Sequence, residues 1–159
     1  MVKIVTDKGF INSFIFDDPE LVDRLTDDYT VDDVERVRKG DPLTSIWVGY
    51  FGDDGVCKAM ASLDKETSTI MNMHINVPKQ FRDGNTYSRV IDIVEFIEKN
   101  IDKQFIKLNA KIPSKYQDVI AFAKKFGFVQ YGIDKGVHLK GGKLYDRVFM
   151  SKRIRRIHK

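Results

Sequence analysis

The order of predicted elements indicates an α+β protein, in which helices flank a mixed, mostly antiparallel sheet to give three layers. Three observations support this class. A turn-containing segment at 45–63 is strongly β-prone on both sides of the turn, as in a hairpin. Two stretches, 69–77 and 105–112, alternate apolar and polar residues as strands do. Two others, 84–101 and 116–126, carry apolar residues at helical spacing.

The N-terminal third is predicted to contain one strand and two helices. Ile11–Phe16 is rich in β-branched and aromatic residues and is predicted as the first strand. Asp18 is a good N-cap for a helix with Pro19 at its first position, and its apolar face comprises Leu21, Val22 and Leu25. Thr30–Asp33 predicts the start of a second helix, which ends at Gly40.

Three antiparallel strands are predicted to follow. Ser45–Phe51 and Val56–Leu63 form a hairpin around the turn Gly52–Gly55. The third strand, Thr69–Val77, places Met71, Met73, Ile75 and Val77 on one face and Asn72, His74 and Asn76 on the other. Trp47 and the two methionines are interpreted as core residues.

The C-terminal half is predicted to read helix, strand, helix, strand, strand. The helix Gly84–Ile101 has an apolar face of Val90, Ile91, Val94, Ile97 and Ile101. In the strand Phe105–Ile112, the residues predicted to face the core are Ile106, Leu108, Ala110 and Ile112. The next helix opens with the capping-box spacing of Ser114 and Gln117, carries the stripe Tyr116, Val119, Ile120, Ala123 and Phe126, and ends at Gly127. Two strands near 128–133 and 144–150 close the chain.

Composition predicts one domain, residues 1–152, followed by a basic tail at 153–159. A chain of 159 residues is long enough to bury a core, and no apolar run reaches the ~20 residues that span a membrane. The single Cys57 excludes an internal disulfide and favours the cytoplasm, and the first residues do not resemble a secretory signal. With one cysteine and three scattered histidines, no metal site is predicted.

Charge is distributed unevenly along the chain. Residues 1–55 hold 6 Lys/Arg against 13 Asp/Glu, whereas residues 56–159 hold 21 against 10. The basic half is either scattered surface charge or a surface that faces an anion, such as a phosphate-bearing cofactor, a nucleic acid or an acidic partner. The tail at 153–159 could contact nucleic acid or only aid solubility.

The loop from Arg82 to Tyr87 has the composition of an anion site. It joins a predicted strand to a helix N-terminus, where unpaired backbone N–H groups and the helix dipole favour a negative charge. Gly84 allows close approach of a phosphate to the backbone. The alternative is an ordinary connection in which Arg82 is solvated.

This segment, together with the Gly127-Phe128 ending of the last helix and the closing hairpin, resembles the GCN5-related N-acetyltransferase (GNAT) superfamily over roughly residues 45–152. The chain is similar to divergent, phage-encoded GNAT-like proteins. The resemblance implies a GNAT fold and acetyl-coenzyme A as cofactor, wedged between the strand ending at Val77 and the strand starting at Phe105. Residues implied in cofactor binding are Ile75, Asn76 and Val77 through their backbone, and Arg82, Asp83, Gly84, Asn85, Thr86 and Tyr87 in a pyrophosphate-binding loop. Aligned on Arg82, the family's two glycine positions fall on Asn85 and Tyr87.

Catalytic candidates follow less directly. The tyrosine that the family often places four residues before the glycine of Gly-Phe is Ala123 here, and a common asparagine near the start of that helix is Tyr116. Direct acetyl transfer needs a base and an acid. His74, on the polar face of its strand, is the candidate base, with an ordered water as the alternative, and Tyr145 is a second candidate. His74 could equally be a structural residue, and Asp146 could hold the closing hairpin or an amine.

The leading hypothesis is therefore an N-acetyltransferase that acts on a primary amine of a protein or a small molecule. The alternative is a GNAT-fold protein that has lost catalysis and serves as a binding or structural component, for example in a phage virion or in contact with a host protein. A third hypothesis is a nucleic-acid-binding module that acts through the basic tail. A protein partner or an oligomer is compatible with each of them.

Overall fold

The computed structural model describes residues 1–26 and 41–155. In chain order the strands are β1 (Val2–Val5), β2 (Ile46–Phe51), β3 (Cys57–Lys65), β4 (Ile70–Asn76), β5 (Lys107–Pro113), β6 (Val129–Lys140) and β7 (Lys143–Arg153). The helices are α1 (Lys8–Phe16), α2 (Pro19–Leu25), α3 (Thr86–Asn100) and α4 (Gln117–Lys125). The strands form one sheet in the order β1-β2-β3-β4-β5-β7-β6, in which the only parallel pair among the described strands is β4 with β5.

The predicted α+β class and the mostly antiparallel sheet are confirmed. A large hydrophobic cluster joins α3 and α4 to one face of the sheet, and includes Val48, Leu63, Ile93 and Leu108. A smaller cluster joins α1 to the opposite face through Ile11 and Met60. Because Met60 and Ala61 are successive residues of β3, the two clusters lie on opposite sides of the sheet. Helices therefore cover both faces.

The prediction of a first strand at Ile11–Phe16 is wrong, because this segment belongs to α1. The Asp7 carboxylate accepts a hydrogen bond from the backbone N–H of Phe10 at 2.9 Å and caps the helix. Ile11 and Ile15, four residues apart, are both buried, so helical burial overrides β propensity. The first strand is β1, which pairs with β2 at the edge of the sheet.

The N-cap predicted at Asp18 is confirmed. Its carboxylate accepts hydrogen bonds from the N–H groups of Glu20 at 3.0 Å and Leu21 at 3.3 Å, and Pro19 opens the helix. The helix predicted from Thr30 to Gly40 lies outside the described residues. In the described part of the chain, no helix is both long and apolar enough to span a membrane.

Three details of the C-terminal half differ from prediction. Ile106 precedes β5 and is 44% exposed, so it does not join the core. Ser114 and Gln117 form no capping box, because the Ser114 hydroxyl accepts a hydrogen bond from the N–H of Asp146 at 3.1 Å. The ordered fold also passes the predicted boundary at residue 152, since β7 ends at Arg153 and Ile154 is buried.

A buried ion pair fixes β7 to α3. The ammonium group of Lys152 contacts the carboxylate of Glu98, and each side chain is 9% exposed. Burial lowers the pKa of Lys152, and Arg155 lowers it further. This contact lies on the same sheet face as Met150 and Leu108, so it belongs to the core beneath α3.

Candidate functional site

The sheet opens between β4 and β5. These parallel strands pair only through Ile70–Lys107, Met71–Leu108 and Asn72–Asn109. Beyond Asn72 the two strands diverge, and no strand among the described residues pairs with the facing edges of their remaining halves. The divergence opens a cleft of about 690 Å³.

The cleft passes through the sheet. On the side of α3 and α4 its walls are apolar and include Ile112, Phe122 and Phe126. On the side of α1 and α2 the lining is more polar and includes His74 and Arg147. A ligand with an apolar arm can therefore enter from one face and meet a polar ligand that approaches from the other.

Three of the predicted cofactor-binding residues lie at the end of β4, and their side chains make contacts within the protein. Ile75 packs against the main core, and the buried Asn76 donates its side-chain amide to the carbonyl of Met60 at 3.3 Å. Val77 is partly buried in the same core. What these residues offer the cleft is thus their main chain, which suits a ligand containing amide groups.

Arg82 stands at the rim of the cleft but is already engaged. Its Nε donates to the carbonyl of Val77 at 2.9 Å, and its Nη1 forms an ion pair with Glu20 of α2. Glu20 also contacts Nε of Arg24 at 3.2 Å. The hydrogen bond from Arg82 lowers the pKa of Glu20, so Glu20 is a carboxylate at neutral pH.

The predicted phosphate loop is folded as a capped helix start. The Asp83 carboxylate accepts from the N–H of Asn85 at 2.8 Å and lies 3.3 Å from Nη1 of Arg89. The hydroxyl of Thr86 accepts from the N–H of Asp83 at 2.9 Å. Asn85 keeps a negative φ of −98°, so no left-handed residue is needed here.

Three N–H groups remain at this helix start. Within the described chain, those of Gly84, Tyr87 and Ser88 have no hydrogen-bond partner. A Cβ atom at Gly84 would meet nothing within 4 Å, so the loop surface there is open. The loop can still present donors to an anion, although Asp83 contributes a negative charge beside them.

Tyr87 faces away from this loop. Its ring stacks on Phe126 with centroids 4.9 Å apart, and its hydroxyl donates to the carbonyl of Lys125 at 3.1 Å. Tyr87 therefore ties the start of α3 to the end of α4. The small residue that the resemblance implies at this position is absent, and the Tyr87 side chain joins two helices instead.

His74 of β4 lines the cleft, where its side chain is open to solvent but has the protein walls of the cleft around it. Its pKa is lowered, chiefly because surrounding protein atoms desolvate the charged ring; Lys111 lowers it further and Asp64 raises it. The imidazole is consequently neutral at neutral pH, which is the form that can accept a proton.

Tyr116, interpreted from the sequence as part of an apolar stripe and as the replacement of a common asparagine, also lines the cleft. Its hydroxyl oxygen is buried and has no hydrogen-bond partner in the described structure, and its ring lies 5.3 Å from the Arg24 guanidinium. Desolvation raises its pKa, so the phenol keeps its proton above the usual range. Ala123 lines the same cleft but brings no polar atom.

Four other residues that line the cleft were not predicted from the sequence, because their polar groups come together from distant segments: Arg24, Asp118, His138 and Arg147.

Tyr145 is not among the described residues that line the cleft. It lies in β7 and pairs with His138 of β6, and Lys115 and Lys143 approach its ring. Its catalytic role stays a prediction. Asp146 holds the hairpin by accepting from the N–H of Gly136 at 3.0 Å and binding Lys135 at 3.3 Å.

At the level of sequence, neither protein-family models nor curated proteins give a match. Solved structures do. The chain is similar to the ribosomal-protein-alanine N-acetyltransferase from Brucella melitensis, with a TM-score of 0.70, 18% identity, and coverage of 96% of this chain and 99% of the other. It is also similar to a GNAT superfamily phosphinothricin acetyltransferase from Sinorhizobium meliloti in complex with AcCoA (TM-score 0.70, 15% identity, coverage 96% and 88%).

A third similar structure is the spermidine N-acetyltransferase from Vibrio cholerae in complex with CoA and spermine (TM-score 0.74, 12% identity, coverage 97% and 95%). The chain has the GNAT fold. At these identities the similarity shows the fold alone, so the chemistry must be argued from the cleft itself. The β4–β5 divergence is the part of this GNAT fold where the strands leave room for a ligand.

Proposed function

We propose that this protein is an acetyl-coenzyme A-dependent N-acetyltransferase that acylates a primary amine. The observation that carries the proposal is the cleft through the sheet, bounded by the unpaired edges of β4 and β5. Two structures of the same fold were solved with CoA or AcCoA, which supports the choice of cofactor.

The cleft fits the cofactor in three respects. The main chain of Ile75, Asn76 and Val77 provides the polar groups to pair with the amides of the pantetheine arm. Apolar side chains of α4 would cover that arm. The N–H groups of Gly84 and Tyr87, with Arg82, would hold the pyrophosphate at the start of α3.

The reaction needs one proton removed and one returned. Bound acetyl-coenzyme A would supply the acetyl group as a thioester with a thiolate leaving group. His74 takes the proton from the attacking amine, because its lowered pKa keeps it neutral. Tyr116 would return a proton to the thiolate by turning its buried hydroxyl into the cleft, because its raised pKa keeps it protonated. The amine approaches from the polar side of the cleft.

The test combines binding and turnover. Calorimetric titration with acetyl-coenzyme A should give micromolar affinity, weakened in Arg82→Ala; Arg153→Ala, an equal loss of charge at the end of β7, should bind as wild type. An amine panel that includes spermidine and peptide N-termini should then show acetylation, and His74→Ala should lower kcat by about 100-fold without changing cofactor affinity.

A second candidate is a binding protein that keeps the fold without its chemistry. Ala123 in place of an acid and the Asp83 carboxylate beside the loop N–H groups favour it. Failure of acetyl-coenzyme A to release heat or to stabilise the protein at millimolar concentration would contradict the enzyme and support this candidate. A virion or host-interaction role, or nucleic-acid contact by the tail, would then be tested by partner capture and by salt-dependent binding.

A further inference from the structure

Helix α2 is connected to both sides of the cleft by charges. On one side Glu20 pairs with Arg82, in the loop between β4 and α3. On the other, Nη2 of Arg24 lies 3.3 Å from the Asp118 carboxylate of α4. Glu20 and Arg24 also pair with each other at 3.2 Å. A continuous row of ion pairs thus runs from the phosphate loop across α2 to α4.

The position of α2 makes this row part of the cleft. Leu21, Arg24 and Leu25 line the cavity, so the helix lies beside the open end of the β4–β5 divergence. Lys140 holds the far end of α2 by contacting the Asp23 carboxylate at 2.9 Å and the Thr26 carbonyl at 3.0 Å. Of these contacts of α2, the ion pair between Glu20 and Arg82 is therefore the one that reaches the proposed cofactor site.

We propose that Glu20 is a latch on Arg82, which competes with the phosphate of the cofactor for the guanidinium. This inference rests on the function proposed above. With Glu20 in place, a bound pyrophosphate would bring a second anion to the same guanidinium, and the two negative charges repel. Arg82 would also have to leave the Val77 carbonyl, whose strand edge is the proposed contact for the pantetheine arm.

The coupling between the Glu20–Arg82 ion pair and phosphate binding is reciprocal, so phosphate binding should also affect α2. If Glu20 weakens phosphate binding, then phosphate binding weakens the hold of Arg82 on Glu20 by the same factor. Cofactor binding would therefore loosen α2 at the polar side of the cleft, where the amine is proposed to enter. The same factor limits how far cofactor binding can favour entry of the amine.

The experiment measures the affinities of coenzyme A and of pantetheine, which lacks the pyrophosphate, for three forms of the chain. Glu20→Gln should bind coenzyme A about 2- to 5-fold tighter than wild type, because exposed ion pairs contribute little energy each. Pantetheine affinity should be unchanged by the substitution. Asp23→Asn is the matched control, since it removes the same charge from the same helix without touching Arg82.

Several results would overturn the latch. Equal or weaker coenzyme A binding by Glu20→Gln would mean that Glu20 does not compete, or that it orients Arg82 for phosphate. Equal tightening in Asp23→Asn would indicate a general charge effect. If wild type binds coenzyme A and Glu20→Gln is no tighter, the latch alone fails. If no form binds coenzyme A, the proposed function fails with it.

Discussion

Strand β5 has two edges that differ in kind. Toward β7 it is paired at seven successive positions, from Lys107–Arg153 to Pro113–Arg147. Toward β4 it is paired at three and then parts from its neighbour. The same seven residues thus build a continuous sheet on one side and an open cleft on the other. The free energy of unfolding should depend on the edge paired with β7, and ligand binding on the edge that faces β4. Substitutions on the two sides should therefore affect stability and binding separately.

The largest effect is expected on the paired side. Lys152→Met leaves the Glu98 carboxylate buried without its ammonium partner, and breaking a buried pair in this way costs about 3 kcal/mol. Urea unfolding should show this loss of free energy. At temperatures where the variant remains folded, affinity for acetyl-coenzyme A should match that of wild type. A variant as stable as wild type would show that the pair contributes nothing to the core.

On the open side, the pH dependence of turnover should report His74. Its neutral form is the active one, so activity rises with pH through its pKa, and that pKa lies below the ordinary value of about 6.5. Asp64→Asn removes a charge that raises the pKa and should move the acidic limb of kcat to lower pH. Lys111→Met should move it to higher pH. A limb that neither variant shifts would assign the base to another group.

A substitution at Tyr116 should affect stability and activity in opposite directions. The phenol oxygen is buried without a partner, and such a group costs about 1–3 kcal/mol. Tyr116→Phe should therefore raise the free energy of unfolding by about 1 kcal/mol and lower kcat by roughly 10-fold, through loss of the proton donor. Gain of stability without loss of activity would remove Tyr116 from the mechanism.

The sequence predicts most of the fold and less of the site, for a physical reason. Helix α3 and strands β4 and β5 are predicted by their periodicity. Strands β2 and β3 are predicted by their β propensity on both sides of a turn. The segment Ile11–Phe16 was wrongly predicted as a strand because its residue types favour strands. Only the Asp7 cap and the Ile11–Ile15 spacing favour the helix. Both signals are local and are present in the sequence.

The contacts of the site arise from distant segments and have no local signal. Arg82 lines the cleft, and its role in cofactor binding stays a prediction; its partner Glu20 lies 62 positions away. Tyr116 matches the apolar stripe of α4, and nothing in that stripe indicates that its hydroxyl is left without a partner. The local sequence pattern predicts which face of a helix or strand is buried. Which residues pack against that face depends on the packing of the whole chain.

The smallest effect is expected at Tyr145, which shares β7 with the paired edge and was predicted from the sequence as catalytic. Its ring is approached by the ammonium groups of Lys115 and Lys143 at 5.8 and 5.3 Å from the centroid, outside the cleft lining. Tyr145→Phe keeps the ring and removes only the hydroxyl, so we expect kcat to change by less than about 2-fold, since exposed contacts of this kind contribute little. Steady-state kinetics beside His74→Ala make the comparison direct. A loss approaching that of His74→Ala would move the reacting atoms toward β7 and would place a catalytic group on the β6–β7 hairpin.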